Sequence, residues 1–237
     1  MKLAKFTNPN KLTAYQLWCL SLSAPFVQYF GGLHDVFELT LSHKRKEQLR
    51  VDLNRDWKIN DETSLLAVLT TFLGERNDHR FLDYKQFMSG LTHAEKTHLH
   101  SDPQLSGMPK DNYSKLDRVL NDYYNELSDV GTDAWHEARA IWLCRAGVLL
   151  GVISKKIAWE LIDEIAETCA SRYCSWRQFG LSYATGQQLW ERDGYQYESF
   201  KPRADILSFL LFDQKSPWLH VDWEIGGLSQ INALSKI

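Results

Sequence analysis

The sequence predicts a mainly α-helical protein, an irregular multi-helix bundle of about eight to ten helices with at most a minor β element. Two observations carry this. Apolar residues recur at helical spacing through most of the 237 residues, and helix-start signatures of the form Thr/Ser-x-x-Glu/Gln stand at Thr13–Gln16, Thr92–Glu95 and Ser175–Gln178. A third is negative: Leu33 to Leu41 and Trp218 to Trp223 could be extended and pair, but neither alternates cleanly. The length fits one larger domain, so residues 1–237 read as a single helical domain.

Taken in order, Thr13 and Gln16 open a first helix through Leu17, Trp18, Leu20, Leu22 and Phe26, stopped by Gly31-Gly32. A second, basic helix covers Lys44 to Lys58 and ends near Trp57. Asn60 or Asp61 caps a third through Leu65, Leu66, Leu69 and Phe72 to Gly74, and residues 78 to 91 form a short fourth. Thr92 and Glu95 start a His-rich turn ended at Ser101-Asp102-Pro103, and residues 101 to 110 are the best linker. Three strong helices follow at 112–127, 133–149 and 154–171, the last capped by Ser154. Ser175 opens a helix to about Arg192, and the tail holds one helix after Pro202 before an extended Pro217-Trp218 segment.

Composition narrows the function. Lys and Arg number 27 against 30 Asp and Glu, a net charge of −3, so no global field draws the chain to nucleic acid or anionic lipid. The basic stretch from Lys44 to Lys58 is diluted by Glu47, Asp52 and Asp56 and reads as a solvated helix surface. The start of the chain lacks the apolar core of a signal peptide, and no apolar window is long enough to span a membrane, so a cytoplasmic protein is expected. Cys19, Cys144, Cys169 and Cys174 are scattered in apolar helical segments without C-x-x-C pairs and read as reduced core thiols. Neither a G-x-S-x-G elbow nor a phosphate loop is present, and no catalytic residue and no cofactor are assigned. His79, His93, His98 and His100 cluster in sequence, but their spacings cannot put three on one helical face, so no metal site is assigned.

Three groups of residues are candidates for binding. In the helix from 133 to 149, Trp135, Ala138, Trp142, Ala146 and Leu149 share an apolar arc that also holds Arg139, with Arg145 at its edge. The next helix carries Glu160, Asp163, Glu164 and Glu167 opposite its apolar face and could supply their partners. Either the arginines snorkel past the tryptophans to surface ion pairs, or they line a pocket for a carboxylate or phosphate. In the helix from 175, Trp176, Phe179, Tyr183 and Trp190 form a stripe with Gly180 and Gly186. Each glycine costs about 1 kcal/mol in a helix, so the pair points to close approach of another backbone.

These residues resemble a bacterial family catalogued as domain of unknown function 1266. The resemblance is carried by Leu12-Thr13, Gln16-Leu17-Trp18, and Leu53, Asp56-Trp57, Ile59. It is strongest from 131 to 192, where Ala134-Trp135, Arg139-Ala140, Arg145-x-Gly147, Gly151-x-Ile153-Ser154, Ala158-Trp159, Ser175-Trp176, Phe179-Gly180, Tyr183, Gly186 and Trp190 follow in order. It marks 131–192 as the core and 193–237 as an appended segment. The chain departs from the family pattern at His136 and Ile157, where acidic residues are usual. The resemblance implies a helical fold and a bacterial cytosolic origin, and no activity.

Two functions are therefore expected in competition. One is a non-enzymatic interaction protein, in its most concrete form an immunity or antitoxin-like factor that neutralises a toxic effector through the acidic residues 160, 163, 164 and 167. The other is a small-anion-binding or hydrolytic enzyme with Arg139 and Arg145 as a clamp and Glu160 or Glu164 as general base. The oligomeric state is not legible in the sequence.

Overall fold

A computed structural model describes residues 7–74, 79–101, 126–190 and 197–227, and among them every regular element is a helix. In chain order these are α1 Ala14–Leu22, α2 Ala24–Phe30, α3 His43–Trp57, α4 Glu62–Gly74, α5 His79–Gly90 and α6 His93–Ser101. They continue as α7 Ala134–Leu150, α8 Lys155–Arg172, α9 Trp176–Trp190, α10 Tyr197–Phe212 and α11 Pro217–His220. No strand is present among the described residues, so the two extended segments considered above are a bend at 34–38 and a short helix at 217–220 capped by Ser216. The expected helix at 112–127 and the linker lie almost wholly outside the described residues.

Local chemistry sets the helix ends. Thr13 and Gln16 form the reciprocal capping box, and Thr92 and Glu95 do the same. Ser175 caps α9, but Gln178 reaches one residue further back and accepts from the Cys174 N–H at 2.7 Å. The single helix expected from Thr13 to Gly31 is two. Ser23 ends α1 and begins α2, with Pro25 at the start of α2, where its missing N–H costs nothing. The helix placed after Pro202 starts earlier, at Tyr197, and its Ile206 to Leu211 turns pack on α2 and α9.

α7 is the centre of the molecule: α1, α2, α3, α4, α8 and α9 all pack on it. Gly186 explains how closely α9 can lie, since a Cβ there would meet the Thr132 carbonyl oxygen at 2.5 Å and the Trp135 Cβ at 2.7 Å. The expectation of close backbone approach at that glycine holds. Gly180 instead makes room for the Trp218 ring.

Six of the nine tryptophans fall in two aromatic groups. Phe26, Phe30, Trp135, Trp142 and Tyr183 pack between α2, α7 and α9, with Phe30 stacked on Trp142 at 4.7 Å. Trp18, Trp176, Trp218 and Trp223 form the second, with Trp176 stacked on Trp218 at 5.2 Å and edge-on to Trp223 at 4.7 Å. Three of these indoles donate to backbone carbonyls: Trp176 to Val221, Trp218 to Ser21, and Trp223 to Tyr173. A large ring with one polar handle thus ties segments distant in sequence. Leu210, Trp218, Val221 and Trp223 of the appended segment belong to the same buried cluster as α1, α7, α8 and α9.

Candidate functional site

Arg145 is fully buried and meets no carboxylate of α8. Its Nε donates to Phe37 O at 3.0 Å, its Nη2 to Val36 O at 2.8 Å and Leu33 O at 3.2 Å, and its Nη1 to Ser23 Oγ at 2.9 Å. The segment between α2 and α3 has no helix to satisfy its carbonyls, and the guanidinium fork does so from inside. Burial pulls Arg145 down to about 10, which leaves it charged at neutral pH. It neither snorkels nor faces a pocket.

Arg139 is also buried. Its guanidinium lies 3.6 Å from the Phe72 ring centre and 5.2 Å from that of Trp135, and Nη2 is 3.0 Å from His136 Nδ1. An arginine can only donate, so Nδ1 is the acceptor in this contact. His136 therefore serves as an acceptor for Arg139. At the start of α8 the Ile157 N–H donates to Ser154 Oγ at 3.2 Å.

The four α8 carboxylates are elsewhere. Glu160, Asp163, Glu164 and Glu167 are exposed, and the ion pair within their helix, Lys156 to Glu160, spans 3.8 Å. Burial first, then the charge of Glu167, raises Asp163 above the ordinary carboxyl range. Asp163 and Glu167 also lie near Cys19 of α1. Trp135, Trp142, Trp176 and Tyr183 are all buried ring contacts of the two aromatic groups.

Sequence reasoning missed a buried ionic cluster. Asp133 and Glu137, one turn apart at the start of α7, both pair with Arg172 of the last turn of α8, Glu137 Oε1 at 3.1 Å. Burial lowers Arg172, but the bond to Asp133 and the two negative charges outweigh it and raise it. Beside them Tyr173 and Ser182 approach at 3.2 Å, and Ser182 accepts from the Ala134 N–H. Burial and Glu137 push the Tyr173 phenol well above its usual value, so it stays protonated. The signal was available: a seventeen-residue helix apolar on every side must be covered on every side, charges included.

The remaining residues give no site. His93 and His98 are exposed, the side chains of His79 and His100 lie outside the described residues, and no metal-binding cluster is found among the described ones. Cys19, Cys144 and Cys169 are buried, and burial pushes Cys144 up to about 12. Cys174 is an exception to the expected core thiols: it is exposed in the connection between α8 and α9. No helix among the described residues is long and apolar enough to cross a membrane.

The family model described as Protein of unknown function (DUF1266) matches residues 52–223, and the chain belongs to that family. No curated protein and no solved structure matches it.

Proposed function

We propose that this family member is a non-enzymatic interaction protein that offers the acidic face of α8 to a basic protein partner. Its most concrete form is an immunity or antitoxin-like factor of the bacterial cytosol that binds and neutralises a toxic effector. The observation that carries the reading is the division of charge. Arg145 spends its donors inside the core, on three carbonyls and the Ser23 hydroxyl, whereas Glu160, Asp163, Glu164 and Glu167 are exposed to solvent. Like charges crowded on one face, with Asp163 already resisting ionisation, are relieved by an incoming cation. The hydrolytic alternative gains nothing here, because a general base needs partial burial beside its clamp and Glu160 has 63% of its side chain exposed.

The test is capture of partners from the native host by tagged protein, compared with Glu160→Lys and Glu164→Lys. A stoichiometric protein bound by the parent and weakened at least about tenfold by charge reversal is expected. Identical captured proteins for parent and variants would sink the acidic-face reading. For neutralisation, a neighbouring reading frame should be lethal when expressed without this chain and harmless with it; no such frame would dismiss the antitoxin form.

A further inference from the structure

Between α2 and α3 lies an open cleft of 590 Å³, within the roughly 300–1,000 Å³ of small-molecule sites. Tyr29, Phe30, Trp57 and Trp142 line it together with Leu49 and Leu53. The rings are fixed against one another: Phe30 stacks on Trp142 with planes 24° apart, and Tyr29 meets Phe30 edge-on at 4.9 Å. Tyr29 is nevertheless 61% exposed, an aromatic surface left open to a further ring.

Charge is placed unevenly along this cleft. Arg45 Nη1 donates to Phe30 O at 2.5 Å, which holds the guanidinium at one end of the cleft, and Arg45 pairs with no carboxylate among the described residues. Two turns along α3, two carboxylates share one arginine. Arg55 bonds both oxygens of Asp56, at 2.6 and 2.8 Å, and reaches Asp52 Oδ1 at 3.1 Å, which also accepts from Gln48 at 3.0 Å. Asp52 Oδ2 keeps its acceptor capacity. Seven helical residues separate Arg45 from Asp52, about 10 Å along the axis.

We propose that this cleft binds a small aromatic carboxylic acid, its ring against Phe30 and Trp57, its carboxylate on Arg45, and an N–H or O–H donor at the far end of the ring facing Asp52. A guanidinium held by a backbone carbonyl is already oriented to grip a planar carboxylate. The aromatic wall supplies area without recognising one ring in particular, and the two charged ends set length and direction. The site is independent of the acidic face of α8.

The experiment is a titration of the full chain with 4-aminophenylacetate, phenylacetate and 2-phenylethanol, read by saturation-transfer NMR and tryptophan fluorescence. Saturable binding of 4-aminophenylacetate is expected, with phenylacetate weaker and the neutral alcohol at least about tenfold weaker than either acid. Arg45→Gln should erase the preference for acid over alcohol, and Asp52→Asn should erase only the advantage of the amine. Gln48→Trp, an exposed position that fills the cleft without entering the core, should abolish binding at an unchanged unfolding midpoint. No saturable binding of either acid up to about 10 mM, or an acid preference that survives Arg45→Gln, would overturn the proposal. Binding that persists in Gln48→Trp would also do so.

Discussion

α7 and α8 are consecutive helices of nearly equal length whose charges have opposite uses. Fourteen of the seventeen residues of α7 are buried, Glu137, Arg139 and Arg145 among them, while α8 buries five of eighteen and none of those is charged. A charge inside the molecule must be matched at once, and each α7 charge is met by carbonyls, a ring, a histidine or an arginine. The acids Glu160, Asp163 and Glu164 of α8 are exposed to water and need no such internal match, whereas Arg172 at the end of the same helix is drawn into the cluster with Asp133 and Glu137. Changes on α7 should therefore cost stability, and changes on α8 should cost binding.

The largest expected break is Arg145→Leu. It strands the Phe37, Val36 and Leu33 carbonyls and should lower stability by about 3–5 kcal/mol, read from urea unfolding. Next comes acid. His34, beside Arg145, has its imidazole pulled from an ordinary 6.5 down to about 4 by burial and then by the Arg145 charge. Between those values the unfolded chain binds a proton that the folded chain refuses, so stability rises with pH and is lost as pH falls from 6.5 towards 4. The loss should reach about 3 kcal/mol, and unfolding midpoints at pH 6.5, 5 and 4 should flatten in His34→Gln.

A smaller break is Gly186→Ala, whose added methyl must push α9 off the start of α7, for about 1–3 kcal/mol in calorimetry or denaturant. At the other end of the comparison, Glu160→Lys and Glu164→Lys should leave stability within about 0.5 kcal/mol. Asp163→Asn should raise it slightly, because a carboxyl held above its usual range resists its charge at neutral pH. A costly substitution on the exposed face of α8 would mean that its acids serve the fold, and the contrast would fail.

Periodicity and caps made the helices legible. Thr13, Ser154 and Thr92 start helices through bonds three residues away, and sequence reports such bonds directly. The break at Ser23 is local too, and Pro25 marks it. What sequence could not convey is which side of a helix is covered, since that is decided by distant elements. A wheel drawn for α7 puts Arg139 on one arc and Glu137 on another, yet both are buried because six helices surround them. Of the two readings open for the arginines in the sequence, snorkelling and a pocket, Arg145 follows neither for the same reason: distant carbonyls fold over it. Trp142 does line a cleft with arginines, but they are Arg45 and Arg55 of α3, some ninety positions upstream.

The indole of Trp218 donates to Ser21 across 197 residues, and Gly226 leaves room for the Trp18 ring. At a synthesis rate of about 5–20 residues per second, α1 waits roughly 10–40 s on the ribosome before the tryptophans that cover it have been made. Throughout that interval Trp18, Leu20 and Leu22, all destined for the core, form a greasy helix without its lid. The nascent chain is then a natural client for holding chaperones, and codon choice ahead of Trp218 sets how long it must be held.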